Sequence, residues 1–282
     1  MNKLLTSTNM MQDSQVDRLV TAPVPSRATE LTTPTAVVTT AGVAARVIAK
    51  ADDKVQLKVT ETKQEREAAL RLVHQTYCRS GLAASNGNGL RVMKHHLATT
   101  TEILIASQSN KVLFTTTLVR DGEVGMPLES LFAEEVAELR SQGAKLAEVS
   151  CLATDLGVTD KRHRFELLVE MFSLIAQTAR RRGVDRLLLA VHPRHAKAYE
   201  RMFGCVRVSA VKEYAAVQDN PAVLCVHDFA ASDKDRYPFY DRIYGRKLAP
   251  WQLDGTRMSD DEREYFAKAI SAKVPDMLPM AA

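Results

Sequence analysis

The spacing of hydrophobic residues in the first half of the sequence indicates both strands and a helix. Residues 54–60, KVQLKVT, alternate between apolar and polar side chains, which is the pattern of a strand with one buried face. Residues 102–107 and 111–119 are rich in β-forming residues and flank Gln-Ser-Asn, so they predict a β-hairpin. After the first strand, apolar residues at helical spacing predict a helix that begins with a capping box of Thr62 and Glu65.

The second half alternates between runs that predict strands and runs that predict helices. Apolar runs of strand length indicate strands inside a sheet, and apolar residues that recur every three to four positions indicate helices with one buried face. The succession predicts a mixed α/β fold. The predicted helices are 127–143, 165–183 and 193–204, and the predicted strands are 144–153, 184–192, 205–211 and 222–230.

Composition changes along the chain and suggests where the domain lies. Residues 1–50 contain nine threonines, three prolines and no aromatic residue, and the first aromatic residue is Tyr77. Such a segment buries too little apolar surface to offset the entropy of ordering. We therefore expect a disordered Thr/Ala-rich arm at 1–51, one domain at 52–230, and a C-terminal extension at 231–282 that contains a short helix.

The sequence carries no signal for a membrane, secretion or metal. No run reaches the roughly 18 apolar residues that a membrane-spanning helix needs, and the N-terminus lacks the apolar core of a signal peptide. The four cysteines lie far apart without a CxxC pair, so neither a zinc site nor a disulfide framework is predicted. His192 and His195 alone are too few ligands for a metal. We expect a cytoplasmic protein with no bound metal.

The charged residues are segregated along the chain. The whole sequence has 38 basic and 34 acidic residues, a net charge of +4, which is too small an excess to indicate nucleic acid as a partner. Residues 121–160 nevertheless contain nine acidic and two basic side chains, whereas residues 161–201 contain ten basic and four acidic ones. The near balance of the whole chain therefore conceals one basic region.

The second half of the chain contains a run that resembles a known family. AEVSCLATD, followed by a loop, a long helix and LLLAVHPRHAKAYERMFG, resembles the core of the GNAT acyltransferase fold. Upstream, KVLFTTTLVRDG and GMPLESLF resemble the N-acyl amino acid synthases of the FeeM type, which are related to the acyl-homoserine-lactone autoinducer synthases. The resemblance covers residues 57–230. It implies a GNAT-like α/β (α+β) fold with a central twisted mixed sheet flanked by helices.

The resemblance also implies a reaction and its substrates. In this family a long-chain acyl group passes from an acyl-acyl carrier protein thioester to the α-amine of an amino acid. GNAT enzymes that use coenzyme A have a glycine-rich loop whose backbone amides hold the pyrophosphate. The corresponding loop here, DLGVTDKRHRF, lacks the second glycine. That departure fits a carrier-protein donor, with its phosphopantetheine thioester as substrate and no bound cofactor.

Two side chains are candidates for proton transfer in this reaction. Glu148 lies among apolar residues of a predicted strand, so burial should raise its pKa toward the range that a general base needs. Glu148 could instead anchor the substrate amine, or be a structural carboxylate paired with Arg79 or Arg91. Tyr199 matches the tyrosine that protonates the leaving thiolate in GNAT enzymes, or else packs on its helix. The resemblance places the oxyanion donors at the backbone of Cys151, Leu152 and Ala153, and we expect the Cys151 side chain to pack in the core.

The remaining candidates would bind the two substrates. Basic side chains beside the donor entrance would attract an acidic carrier protein, unless they are ordinary solvated helix surface. The apolar candidates for the acyl-chain pocket could equally be residues of the hydrophobic core. The candidates for carrier contact are Lys161, Arg162, Arg164, Arg194, Lys197 and Arg201; those for the acceptor are Tyr77 and Arg79; and those for the acyl chain are Met126, Phe132, Met171 and Phe172.

Two other functions fit the same sequence. An autoinducer synthase would use S-adenosylmethionine as the acceptor and then form a lactone. A protein without catalytic activity would bind acyl carrier protein or lipid and transfer nothing. Glu148 and Tyr199, which such a binding module would not need, favour an enzyme.

Overall fold

The computed structural model describes residues 54–271, and the arm predicted at 1–51 lies outside them. The strands are β1 Gln56–Val59, β2 Thr101–Gln108, β3 Lys111–Arg120, β4 Leu146–Thr154, β5 Arg186–Val191, β6 Val206–Arg207, β7 Lys212–Tyr214 and β8 Asn220–Asp228. Within the described residues they form one mixed sheet in the order β1-β2-β3-β4-β5-β8-β6, with β7 paired to β8. A mixed sheet is the architecture that the sequence predicted.

Helices flank this sheet. They are α1 Lys63–Arg79, α2 Glu129–Ser141, α3 Lys161–Arg181, α4 Pro193–Phe203, α5 Phe229–Asp235, α6 Tyr240–Tyr244, α7 Pro250–Leu253 and α8 Asp260–Ser271. Two short 3-10 helices, Lys94–Leu97 and Ala215–Val217, lie in the connections. No helix within residues 54–271 is both long enough and apolar enough to cross a membrane.

The N-terminal half forms as its apolar pattern predicts. β2 and β3 pair as an antiparallel hairpin, and Ser109 and Asn110 at its turn both have positive φ, 49° and 62°. At the start of α1, the Thr62 hydroxyl accepts a hydrogen bond from the Glu65 N–H at 3.2 Å. The Glu65 carboxylate in turn accepts one from the Thr62 N–H at 3.2 Å. The hairpin and the capping box are therefore both confirmed.

The two faces of the sheet bury different side chains. On one face, α3 packs against β1, β2 and β3, and its core cluster includes Val149 and Leu189 from the two central strands. On the other face lie α1 and α2, and the cluster beneath α2 includes Leu146 and Leu188. Because side chains alternate along a strand, Glu148 points to the α2 face while its neighbour Val149 points to the α3 face.

β4 and β5 are parallel neighbours that separate before their carboxyl ends. They pair only through Leu146–Glu148 and Arg186–Leu188. Beyond that point β4 is bulged, because its register against β3 shifts between Thr115 and Thr117 and Cys151 has a φ of 53°. A bulge bends a strand away from regular pairing. The carboxyl halves of β4 and β5 therefore diverge and leave a gap in the sheet.

The C-terminal extension packs against the domain along its described length. The predicted short helix is α8, and α6 and α7 are two further helices that the sequence pattern did not indicate. The side chains of Ile243 and Phe266 are fully buried in two different core clusters. The buried guanidinium of Arg66 in α1 forms an ion pair with Glu262 of α8 at 3.0 Å. Residues beyond 230 thus contribute to the core.

Several element boundaries shift by about two residues, the strand expected at 222–230 ends at Asp228, just before α5 begins, and two further boundaries have a local explanation. α3 begins at Lys161 rather than at 165, because the Asp160 side chain caps it by accepting a hydrogen bond from the His163 N–H at 2.6 Å. The strand predicted at 205–211 is reduced to the two residues of β6, which are exposed at the edge of the sheet. An alternating pattern alone does not tell a full strand from an edge segment.

Candidate active site

The gap between β4 and β5 opens into a cavity of about 300 Å³. Its walls come from the carboxyl halves of both strands, from α1 and α4, and from the segment around β7 and the start of β8. The fold therefore brings both proton-transfer candidates, the expected oxyanion segment and one acceptor candidate together. The predicted site residues that line the cavity are Tyr77, Glu148, Cys151, Leu152, Ala153, Arg194 and Tyr199.

Glu148 presents a buried carboxyl group to this cavity. Its side chain is 2% exposed, and its Oε2 accepts a hydrogen bond from the Leu128 N–H at 2.8 Å. That N–H lies at the amino end of α2, where helix N–H groups have no partner within the helix. Burial raises the pKa of Glu148 to about 7, against the opposing effect of the Leu128 hydrogen bond. A carboxyl group with this pKa can take up a proton near neutral pH, as a general base must.

The raised pKa predicts how stability depends on pH. The Glu148 pKa is 4.5 for an unperturbed glutamate and about 7 in the fold, so the folded state holds the proton more tightly in that window. This contribution to stability is therefore lost as pH rises from 4.5 to 7. Relative to the native protein, Glu148→Gln should gain about 2–3 kcal/mol in the free energy of unfolding between pH 5 and pH 8. Urea unfolding at both pH values measures this gain, and its absence would show that Glu148 titrates normally.

Tyr199 reaches the cavity from the other face of the sheet. It lies on α4, is buried, and packs against Phe203 with ring centroids 5.5 Å apart. Burial raises the pKa of the Tyr199 hydroxyl, so it remains protonated and able to donate at neutral pH. The end of α4 is fixed by Gly204, which has a φ of 63° and where a Cβ would lie 2.6 Å from the Tyr237 ring.

The expected oxyanion segment coincides with the bulge in β4. Because pairing with β5 ends at Glu148, the edge of Cys151–Ala153 that would otherwise bond to β5 borders the cavity. Backbone N–H groups in such a position can donate to a developing oxyanion. The Cys151 thiol is buried and its pKa is raised by that burial, which is the opposite of what a nucleophilic thiolate requires.

The two acceptor candidates lie in different surroundings. Tyr77 lines the cavity, whereas Arg79 is exposed at the end of α1 and does not line it. Arg91 and Arg194 are the two arginines at the cavity wall, and the Arg91 guanidinium lies 4.9 Å from the centroid of the Tyr77 ring. Within residues 54–271 neither arginine pairs with Glu148, so the structural ion pair considered from the sequence is not formed. Arg91 comes from an irregular segment whose path no periodicity could predict.

The four residues expected to line an acyl pocket lie in the hydrophobic core instead. Met126 and Phe132 belong to the cluster beneath α2, and Met171 and Phe172 to the cluster beneath α3. The ring of Phe172 stacks on Phe203 at a centroid distance of 4.0 Å. None of the four lines the cavity, because their neighbours in these clusters enclose them. The apolar walls of the cavity come from other residues, among them Val149, Leu152, Leu189, Ala190, Val191 and Val217.

Five of the basic candidates lie on the two helices that begin at one edge of the sheet. α3 follows β4 and α4 follows β5, and because these strands are parallel, both helices begin at the same edge. Lys161 and Arg162 are exposed in the first turn of α3, and Arg194, Lys197 and Arg201 are exposed on α4. The last three recur at positions i, i+3 and i+7, so they share one side of α4. We call these five side chains the basic edge.

The other arginines of this region have partners. Arg164 is half-buried and donates to the Thr159 carbonyl at 3.0 Å, so it holds the loop before α3. The three arginines that end α3, at 180–182, form ion pairs with Asp233, Asp254 and Glu102 respectively. Within the part of the chain that the structure describes, Arg162, Lys197 and Arg201 form no ion pair. Unneutralised positive charge therefore remains at the basic edge.

His192 and His195 serve the start of α4. The His192 Nδ1 accepts a hydrogen bond from the Arg194 N–H at 3.2 Å and so caps the helix. Burial lowers the pKa of His195 to about 4, which keeps its ring neutral. Among residues 54–271, no group of three or more His, Cys, Asp or Glu side chains is arranged to hold a metal ion.

The splayed sheet and the bulged strand beside the gap give this chain a GNAT-like fold. A family model described as "N-acyl amino acid synthase FeeM" matches residues 68–228. The chain belongs to this family, and it is therefore an N-acyltransferase.

One solved structure supports the fold. FeeM, an N-acyl amino acid synthase from uncultured soil microbes, is 23% identical, with a TM-score of 0.57 over 67% of this chain and 97% of that chain. An acyl-CoA N-acyltransferase from Pseudomonas aeruginosa is 16% identical, with a TM-score of 0.45 over 62% and 99%. The CoA-dependent acyl-homoserine lactone synthase BjaI is 12% identical, with a TM-score of 0.47 over 76% and 100%. No curated protein matches this chain.

Proposed function

We propose that this protein transfers a long-chain acyl group from an acyl-acyl carrier protein thioester to the α-amine of an amino acid. The observation that carries the proposal is the buried Glu148 carboxyl group, with a pKa near 7, where β4 and β5 separate. An α-amine is mostly protonated at neutral pH and must lose a proton before it attacks. A buried base with a pKa near neutrality suits that step, and the family supports N-acylation.

In the proposed reaction the amine nitrogen attacks the thioester carbonyl carbon. A C–N bond forms, the C–S bond breaks, and Glu148 takes the proton of the amine directly or through a water. The backbone of Cys151–Ala153 donates to the oxyanion, and Tyr199 gives a proton to the leaving thiolate. A thiol has a pKa of roughly 8.5 and leaves readily as the anion, so the acid is helpful rather than essential. Glu148 and Tyr199 reach the cavity from opposite faces, so amine and thioester would meet across the gap.

The basic edge and the loop before α3 support a carrier protein as the donor. Acyl carrier proteins are acidic, and Arg194 extends the basic edge to the wall of the cavity. At the amino end of α3, where a pyrophosphate would approach a helix dipole, the Asp160 carboxylate already holds the His163 N–H. Asp155 in the same loop pairs with Lys111. The phosphopantetheine thioester is then a substrate, and the proposal requires no resident cofactor.

Reversing charge at the basic edge tests the choice of donor. Arg162→Glu combined with Arg201→Glu should raise the KM for acyl carrier protein about 10-fold at low ionic strength, because steering acts mainly on association. The effect should shrink as salt is added. Lys234→Glu is the matched control: it lies on α5, which follows a strand antiparallel to β5 and so begins at the opposite edge. An unchanged KM, or an equal change in the control, would show that the carrier protein does not bind at the basic edge.

A transfer assay with purified protein tests the function itself. The protein is incubated with a long-chain acyl-acyl carrier protein, with or without a mixture of amino acids, and free thiol and products are followed. We expect thiol release that depends on the amino acids and an amide product in the mass spectrum. Carrier binding without thiol release would identify a binding module. If acyl-coenzyme A is used as efficiently as acyl-acyl carrier protein, the enzyme does not require a carrier protein as donor.

A further inference from the structure

We propose that Arg91 binds the α-carboxylate of the acceptor, so that the acceptor must be an amino acid with a free carboxylate. The inference deepens the proposed function and rests on it. Arg91 and Glu148 line the same cavity, one as a cation and the other as the proposed proton acceptor. An amino acid carries an ammonium and a carboxylate on one carbon, so it can meet both groups at once.

The position of Arg91 is set by contacts on both sides. Its backbone N–H donates to the Leu70 carbonyl of α1 at 3.2 Å. Its guanidinium donates to the Ala216 carbonyl at 2.8 Å and lies over the Tyr77 ring at 4.9 Å. These contacts fix the plane of the guanidinium before any substrate arrives, and a fixed donor loses less entropy on binding.

The guanidinium retains unused hydrogen-bonding capacity. Arginine has five N–H donors, and they fit a carboxylate through two parallel hydrogen bonds. The Arg91 Nε is buried and has no hydrogen-bond partner. Within residues 54–271 no carboxylate forms an ion pair with Arg91. Arg91 as a whole is half-buried, but a buried N–H donor such as its Nε is costly to leave without a partner unless a ligand supplies one.

Within residues 54–271, the acidic groups that interact with Arg91 stay uncharged. The phenol of Tyr77, the phenol of Tyr214 and the thiol of Cys151 all have raised pKa values because of burial, so they remain neutral at neutral pH. His96 has its pKa lowered by burial to about 3, so it adds no positive charge that would compete for an anion. Among the described residues that line the cavity, Arg91 and Arg194 are the arginines and Glu148 is the carboxyl group, and Arg91 is the arginine that lies beside Tyr77.

Arg91 should make the enzyme specific for acceptors that carry a negatively charged carboxylate next to the amine. A simple amine, or an amino acid amide, offers the attacking nitrogen but leaves the buried Nε of Arg91 without a partner. Removing one partner of a buried, hydrogen-bonded charge pair typically weakens binding by a factor of roughly 30 or more. An acceptor with a free carboxylate is therefore favoured over its amide by about that factor.

The test compares acids with amides in the native protein and in variants. Phenylalanine, leucine and their carboxamides are offered with a long-chain acyl-acyl carrier protein, and kcat/KM is measured for each. The native protein should prefer the acids roughly 30-fold or more. Arg91→Met should bring that ratio close to one through a rise in KM for the acids, and Arg91→Lys should retain part of it. Lys94→Met removes an exposed cation three residues away and should keep the native ratio.

Three outcomes distinguish a failure of the role given to Arg91 from a failure of the proposed acyl transfer. If the native protein has equal kcat/KM for the amides and the acids, Arg91 does not bind the carboxylate, although the enzyme still transfers acyl groups to amines. If Arg91→Met is folded by circular dichroism and keeps the preference, another group reads the carboxylate. If the native protein acylates no amine at all, the proposed function fails and this inference fails with it.

Discussion

Glu148→Gln is expected to lower turnover by about 10²–10⁴-fold without disrupting the fold. Glutamine has the shape of the protonated carboxyl group, and its side-chain oxygen can still accept the hydrogen bond that the Leu128 N–H donates at 2.8 Å. The amide cannot take a proton from the attacking amine. Steady-state kinetics with saturating carrier and amino acid measure the loss, and circular dichroism checks the fold. A folded variant with near-normal turnover would remove Glu148 from the mechanism.

The pH dependence of kcat separates a base from a group that merely anchors the amine. If Glu148 is the base, kcat of the native protein should rise with pH to a plateau, with a midpoint near the Glu148 pKa of about 7. Glu148→Gln should lose that limb and keep its KM for the amino acid within a few-fold. If Glu148 is an anchor, its substitution should act chiefly on KM.

Phe266→Ala is expected to lower the free energy of unfolding by about 3–5 kcal/mol. Phe266 lies on α8, beyond the predicted end of the domain at residue 230, yet its ring is fully buried. It belongs to the cluster that contains Leu70 of α1, Ile105 of β2 and Ala153 of the bulged strand. Removal of the ring would therefore leave a cavity beneath the site as well as in the extension. Urea unfolding measures the loss.

Tyr265→Ala is the matched control for that substitution. The Tyr265 ring is next to Phe266 but is 37% exposed, and it is held by the Lys63 ammonium at 3.5 Å from its centroid. Its hydroxyl donates to Glu67 at 3.1 Å. Exposed contacts of this kind are worth about 1 kcal/mol. A loss for Phe266→Ala no greater than for Tyr265→Ala would show that α8 adds nothing to the core.

Elements governed by local chemistry were predictable from the sequence. The Thr62–Glu65 capping box, the hairpin turn at Ser109 and Asn110, and the alternation of strand and helix through residues 145–204 each depend on neighbours in the chain. Glu148 was predictable as a buried carboxyl group because the residues on both sides of it are apolar. Its raised pKa follows from the same burial.

Features that depend on tertiary contacts were not predictable. The bulge puts a positive φ on Cys151, a residue type that carries no turn signal, because β4 bends away from β5. Arg91 reaches the cavity from an irregular segment tied down by Leu70 and Ala216. The short helices α6 and α7 are stabilised by packing against α3 rather than by their own propensity. The core positions of Met171 and Phe172 show that an apolar side chain near a site need not line it.

The lipids made in a living cell show whether this protein acylates amino acids. Lipid extracts from a bacterium that expresses the native protein are compared, by mass spectrometry, with extracts from one that expresses Glu148→Gln. We expect N-acyl amino acids with long acyl chains in the first extract and their near absence in the second, and the spectrum identifies both the acceptor and the acyl chain. Acyl-homoserine lactones in place of N-acyl amino acids, or no new lipid from a folded native protein, would contradict it.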